Sequence, residues 1–226
     1  MGRFRHPEEV SEQPRPAGSV SEFAFADGIA GPRKQPTQER SRQTVAAILE
    51  ATIRVLDEIS GAALTTTRVA EVAGVSVGTL YQYFPNRDAL LNALLADLLE
   101  AAIHAVEREC AASAGLPIAE AAPRVVRAFL AANANRAAAA RTIHKAFGSG
   151  FLDDRPIVQA ATRRAHRALG KLLANGGEPD EAMLVRAQIA CSALEGVVRQ
   201  ALVDDTDKLN DPAWVEQVVK IASALT

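Results

Sequence analysis

Between Thr65 and Pro85 the chain places two hydroxyl residues, a glycine and a proline at intervals that leave room only for two brief helices. Thr65 can accept a backbone N–H at the start of a helix of barely two turns, and Gly74 supplies the positive φ that ends it. Ser76 can cap a second short helix, Val77 to Phe84, which halts before Pro85. Two short helices around a tight glycine turn form a helix-turn-helix if their facing sides are apolar and their crossing point is small. Val69, Ala73, Val75, Leu80 and Phe84 supply the inward set, and Ala70 the small crossing residue. Thr79, Gln82 and Tyr83 are expected to face outward, with Val77, Gly78 and Tyr81 near the leading end. Hydroxyls and an amide suit phosphates and base edges, and a glycine lets a backbone approach a duplex. The residues alone also allow a purely structural helical hairpin with a surface tyrosine pair.

Upstream, Val45, Ile48, Thr52, Val55 and Ile59 recur every three or four residues, marking a helix that Thr37 can cap and that stops before Gly61. Residues 1–32, with prolines at 7, 14, 16 and 32 and no apolar period, are expected to be a disordered arm. Alanine is abundant and β-branched residues do not cluster in alternating runs, so the fold is expected to be all-α, with no sheet. Formal net charge is −2, but Arg33, Lys34, Arg40, Arg42 and Arg54 gather at the head while Asp204, Asp205, Asp207 and Asp211 gather near the C-terminus. The two cysteines, Cys110 and Cys191, match no metal spacing, and the polar N-terminus is unlike a signal peptide. No apolar run is read as approaching a membrane span, so no membrane partner and a cytoplasmic location are expected.

The run Thr65 to Leu90, with Val69-Ala70, Ala73-Gly74-Val75-Ser76, Gly78-Thr79-Leu80-Tyr81-Gln82-Tyr83-Phe84, Asn86-Arg87 and Ala89-Leu90, resembles the N-terminal signature of TetR/AcrR-type transcriptional regulators. The resemblance covers roughly residues 38 to 95 and implies a homodimer on an operator in double-stranded DNA, released by a small-molecule effector. It also implies a recognition helix in the major groove. Thr67 and Val77 then fall on base-edge positions with Gln82 as a further candidate, and Thr66, Thr79, Tyr81, Tyr83 and Arg87 fall on positions that hold phosphates. Thr67 and Val77 are too short for a bidentate base contact, so readout would lean on Gln82 and DNA shape. Lys34, just before the first helix, is placed for an arm contact to DNA.

These readings divide the chain into an arm at 1–32, a DNA-binding head at 33–90 and a ligand-binding and dimerisation body at 91–226, about nine helices in all. The body pattern begins with a long helix from Arg87 to about Ala112. Further helices are expected near Pro123, from Arg136 to Phe147, after a cap at Asp153 or Asp154, from Pro179 to Val203, and after Asp211-Pro212. The last two carry a face expected to form a dimer bundle: Ala187, Ala190, Leu194 and Val197, then Val215, Val218, Val219 and Ala222. His104, Phe129, Asn133, His144, Phe147, Phe151 and Cys191 are candidate linings of an effector pocket, against the plainer reading that they are core. Arg163, Arg164, Arg167 and Lys171 form a basic face open to an anion or simply to solvent. No metal site or cofactor is expected. The expected function is repression; activation by the same fold, a helical interaction scaffold, or a small enzyme are the alternatives, and no nucleophile elbow, phosphate loop or paired-acid motif favours the last.

Overall fold

The computed structural model describes residues 39–58, 63–148 and 154–224. The arm at 1–32, Lys34, the Thr37 cap, Ile59, Gly61, Ser149, Phe151, Asp153 and Leu225 lie outside the described residues. Among the described residues there are nine α-helices and no strand: α1 (Glu39–Glu58), α2 (Thr66–Ala73), α3 (Val77–Tyr83), α4 (Arg87–Ala112), α5 (Ile118–Ala134), α6 (Ala137–Phe147), α7 (Pro156–Leu173), α8 (Glu181–Asp204) and α9 (Pro212–Ser223). A 3-10 turn, Thr206–Asn210, joins the last two.

The head folds as its caps dictate. Thr65 accepts the amide of Arg68, Ser76 that of Thr79 and Asn86 that of Ala89. Gly74 turns at φ 68°, where its amide reaches the Glu71 carbonyl and that of Val75 reaches Ala70, closing α2. Ile48, Val55, Val69, Ala70, Leu80, Phe84 and Leu90 are fully enclosed where α1, α2, α3 and the start of α4 meet. Each large side chain so enclosed contributes about 1.5–3 kcal/mol from removal of apolar surface from water. That core runs without interruption along α4 into the body through Leu91, Leu94, Leu95 and Ile103, so head and body share packing.

In the body α4 packs mainly on α5 and α7, α8 on α7, and α9 on α5, while α6 touches both α8 and the head helix α1. By length and apolar content α4 alone among the described helices reaches the size of a membrane span, which the sequence reading did not anticipate. Its flanks are instead covered by protein, and Asp97 and Glu100 pair with Arg136, just before α6, and Arg164 of α7.

Several boundaries differ from expectation for local reasons. Helix α5 begins at Ile118 and Pro123 sits inside it, giving up one backbone hydrogen bond rather than opening the helix. Helix α7 has Pro156 at its first position and no side-chain cap: Asp154 precedes the cap position, and Arg155, which holds it, reaches across to α4 instead. Pro179 does not open α8; Asp180 does, accepting the amide of Met183. Asp211 caps α9 as expected, accepting the amide of Ala213.

Candidate nucleic-acid interface and ligand cavity

Helices α2 and α3 present an outer surface on which Thr67, Gly78, Tyr81 and Gln82 are exposed and Thr66, Val77 and Thr79 half-buried. The Tyr81 and Thr66 hydroxyls lie 3.1 Å apart, and those of Ser76 and Thr79 2.8 Å apart, so these four hydroxyl groups are held in place in pairs. Tyr83 departs from expectation. It is 8 % exposed and belongs to the head core, because positions 80, 83 and 84 share the inner side of a helix only seven residues long. The surface therefore carries one exposed tyrosine, not a pair. Arg87 also sits differently from a free phosphate ligand: its guanidinium lies over the Phe147 ring, 5.8 Å from the centroid, at the seam of head and body.

That seam is made by specific contacts. Arg155, nearly enclosed, donates to Asn92 at 2.6 Å and to Asp88 at 3.2 Å, tying the start of α7 to the first turns of α4. Thr142 of α6 donates to Asp57 at the end of α1 over 3.3 Å.

Between α4, α5, α6, α7 and α8 lies a cavity of about 160 Å³. Leu95, Leu98, Leu99, Ile103, Ile143, Val158, Ala161, Val198 and Leu202 give it apolar walls, and Phe129, Asn133 and His144 line it as expected from sequence. Asn133 donates back to the Phe129 carbonyl at 2.9 Å, which fixes its amide. Three of the other expected residues, His104, Phe147 and Cys191, are elsewhere. His104 is exposed, since it follows the inward Ile103 by a hundred-degree step around the helix. Cys191 is buried in the core and Phe147 packs at the head–body seam, neither lining the cavity. Sequence reasoning missed the polar end, formed by Arg136, Thr162, Glu195 and Arg199. Its only signal was a charged pair, Glu195 and Arg199, four residues apart in the middle of α8. Thr162 donates to Glu195 at 3.4 Å and Arg136 pairs with Asp97, so part of this polarity is already satisfied within the chain. Among the described residues no three His, Cys, Asp or Glu side chains gather as a metal site would require.

Six of the eight residues expected at a dimer face, Ala187, Ala190, Leu194, Val218, Val219 and Ala222, are buried within the protomer. Helices α8 and α9 turn those sides toward α5, α6 and α7; Val215 is half-buried and only Val197 stays exposed. The large apolar side chains left outside are Leu184, Val185, Ile189, Val197 and Val203 on α8 and Ile221 on α9. Gly196 lies on the same side, and a Cβ placed there would meet nothing within 4 Å.

A cap-defined head with an outward hydroxyl-and-amide surface, sharing its core with a cavity-bearing helical body, defines a helix-turn-helix transcriptional regulator. The profile of bacterial regulatory proteins of the tetR family matches residues 48–94. The chain is 29% identical over 192 residues to the HTH-type transcriptional regulator TtgR of Pseudomonas putida, covering 80% of this chain and 91% of that one. It is 31% identical over 130 residues to the HTH-type transcriptional regulator BetI of Burkholderia mallei, covering 55% of this chain and 64% of the relative. Among solved structures, the fatty acid degradation regulator FadR from Bacillus halodurans superposes with a TM-score of 0.64 at 19% identity, over 80% of this chain and 94% of that one, a likeness of fold. These likenesses support a regulator of the tetR family, whose profile matches the head at residues 48–94.

Proposed function

We propose that this protein is a homodimeric repressor that works in the cytoplasm, binds a palindromic operator through residues 33–90, and releases it when a small, mostly apolar effector enters the body formed by residues 91–226. The observation that carries the reading is the fixed outer surface of α2 and α3 on a head whose core continues along α4 past the cavity wall. Thr67, Val77 and Gln82 would meet base edges, with Gly78 allowing close backbone approach; Thr66, Thr79 and Tyr81 would meet phosphates, with the Tyr83 hydroxyl and Arg87 as secondary contacts. Lys34 would add a charge contact ahead of α1, so deleting residues 1–34 should lower the salt slope of binding by about one.

The dimer would form on the outer side of α8 and α9. An exposed mid-helix glycine costs roughly 1 kcal/mol relative to alanine, and nothing within the protomer requires Gly196 to lack a side chain. A partner helix crossing closely beside Ile189 and Val197 supplies that reason. Twofold symmetry then sets two recognition helices about 34–36 Å apart.

The cavity is close in size to one known to hold a single benzene ring, roughly 150 Å³, which favours a compact effector with one polar end facing Arg136 and Arg199. Entry between α4 and α6 would displace the two helices that also hold Asn92, Thr142 and Phe147 against the head seam. A coupling of about 1–3 kcal/mol would weaken operator binding roughly 5- to 150-fold. Selection of duplexes from a genomic fragment pool by the full chain tests the proposal. Saturable, salt-dependent enrichment of an inverted repeat is expected, and indifference to duplex DNA at low ionic strength would overturn it.

A further inference from the structure

A second cavity, about 350 Å³, lies between the far ends of α4 and α7, and none of its lining residues lines the first. Its floor is apolar and built mostly from small side chains: Cys110, Ala111 and Ala114 from the α4 side and Ala168 from α7, with the larger Leu172 beside it. Its charged lining is three cations, Arg164, Arg167 and Lys171, against one carboxylate, Glu107. Glu107 is already committed, accepting two bonds from Arg164 at 2.6 and 2.8 Å, while Arg164 also holds Glu100. That cluster closes the side toward the first cavity.

Arg167 and Lys171 are different. Both are exposed, they stand four residues apart on one side of α7, and among the described residues neither side chain has a hydrogen-bond or ion-pair partner. The α7 terminus beneath them does not offset their charge with bare carbonyls. The amide of Gly176 caps the Lys171 carbonyl at 2.8 Å and that of Asn175 caps Leu172 at 3.0 Å. In a chain whose formal net charge is −2, this is a local excess of positive charge over an apolar trough.

We propose that this trough is a second ligand site, for an aliphatic monocarboxylate of medium chain length. The carboxylate sits between Arg167 and Lys171, and the chain lies over Cys110, Ala111 and Leu172. Charge selects the head group, because an amine of equal length would face two cations. The apolar floor selects a tail, because inorganic anions would leave it wet. A volume of about 350 Å³ falls at the small end of ligand sites, roughly 300–1,000 Å³.

Calorimetric titration of the full chain with decanoate, decylamine and 1-decanol tests this. Decanoate should bind the native protein and decylamine should not. The double variant Arg167→Glu with Lys171→Glu changes two exposed side chains and should weaken decanoate at least tenfold. Ala111→Phe, which fills the trough from an exposed position, should do the same. Ala161→Leu, which fills the first cavity, should leave a decanoate site intact. The proposal is overturned if native protein shows no decanoate binding, if the charge-reversed protein binds it as tightly as the native one, or if Ala161→Leu alone abolishes it. Operator binding, followed in parallel, reports on the regulator reading independently of all three outcomes.

Discussion

The hydroxyls of Thr66 and Tyr81 lie 3.1 Å apart, joining the first turn of α2 to the outer surface of α3. In the proposed DNA complex both hydroxyls would meet phosphate oxygens, and a contact already made in the free protein would lessen the side-chain entropy lost on binding. Tyr81→Phe removes the contact and a neutral donor while leaving the ring. Operator affinity should fall by about 0.5–1.5 kcal/mol, roughly 2- to 12-fold. Because no charge is lost, the dependence of affinity on salt should keep its slope. Titrations at several salt concentrations read both quantities, and a changed slope would speak against this role.

Arg155 links the body to the first turns of α4 through two acceptors of unequal worth. Asp88 is 77% exposed, so solvent screens that ion pair and its loss should cost under about 1 kcal/mol. The bond to Asn92 is partly buried, and Arg155 itself is 12% exposed. Arg155→Ala should therefore cost about 1–3 kcal/mol in urea unfolding, while Asp88→Ala stays near native. If the two variants were equal, the Asn92 contact would not be what holds the seam.

Ile189 is 55% exposed, one of the more exposed large apolar side chains of α8, on the side that also carries Gly196. Ile189→Glu places a charge where a partner helix should sit, at no cost to the protomer core. Sedimentation should show monomers for this variant and dimers for the native chain, and binding to a single half-site should persist. A variant that remains dimeric would move the interface elsewhere.

The head was legible in the sequence because each of its turns is fixed locally. Thr65, Gly74 and Ser76 hold the positions that their cap and turn chemistry requires, and Asn86, not expected as a cap, follows the same rule. Tyr83 was misplaced because three-residue spacing in a two-turn helix is decided by neighbours: it is buried in the same core cluster as residues of α1 and α4. The body was legible as a set of helices but not as a site. Phe129, Asn133 and His144 do line the cavity, yet His104 was not separable from them by periodicity on a helix apolar along so much of its surface. The dimer face failed for the same reason: α8 carries apolar residues on two sides, and only packing shows that Ala187 and Leu194 face inward while Val185 and Ile189 do not.

Burial pushes the thiols of Cys110 and Cys191 up to about 12; nearby Glu109 and Glu107 add to the shift at Cys110, and Glu195 and Cys110 at Cys191. In the unfolded chain a thiol is half ionised near pH 9.0, so around and above that pH the unfolded state gives up protons that the folded state keeps. Stability tied to these groups is full below about pH 9 and is lost as pH rises toward about 12. Urea unfolding at pH 8 and 10 should show the drop, and Cys110→Ala should make it smaller. An equal drop in the variant would assign it to other groups. Alkylation of either thiol at neutral pH should be slow until denaturant is added.

Ala161 lies on the wall of the 160 Å³ cavity, 1% exposed, with Val158 one turn away on α7. Leucine at this position adds a branched side chain directed at space the native protein leaves empty, so the usual penalty for overpacking, about 1–3 kcal/mol, should be reduced or absent. None of the residues proposed to meet DNA touches this wall, and operator affinity should stay within about threefold of native, under 1 kcal/mol. What should disappear is room for an effector. Ethylbenzene, a single ring with a short tail, serves as a probe: it should raise the unfolding temperature of the native protein and weaken its operator complex, and do neither with Ala161→Leu. A variant that still answers the probe would place the effector outside this cavity, whereas one that loses operator binding with no probe present would show that filling it moves α4 by itself.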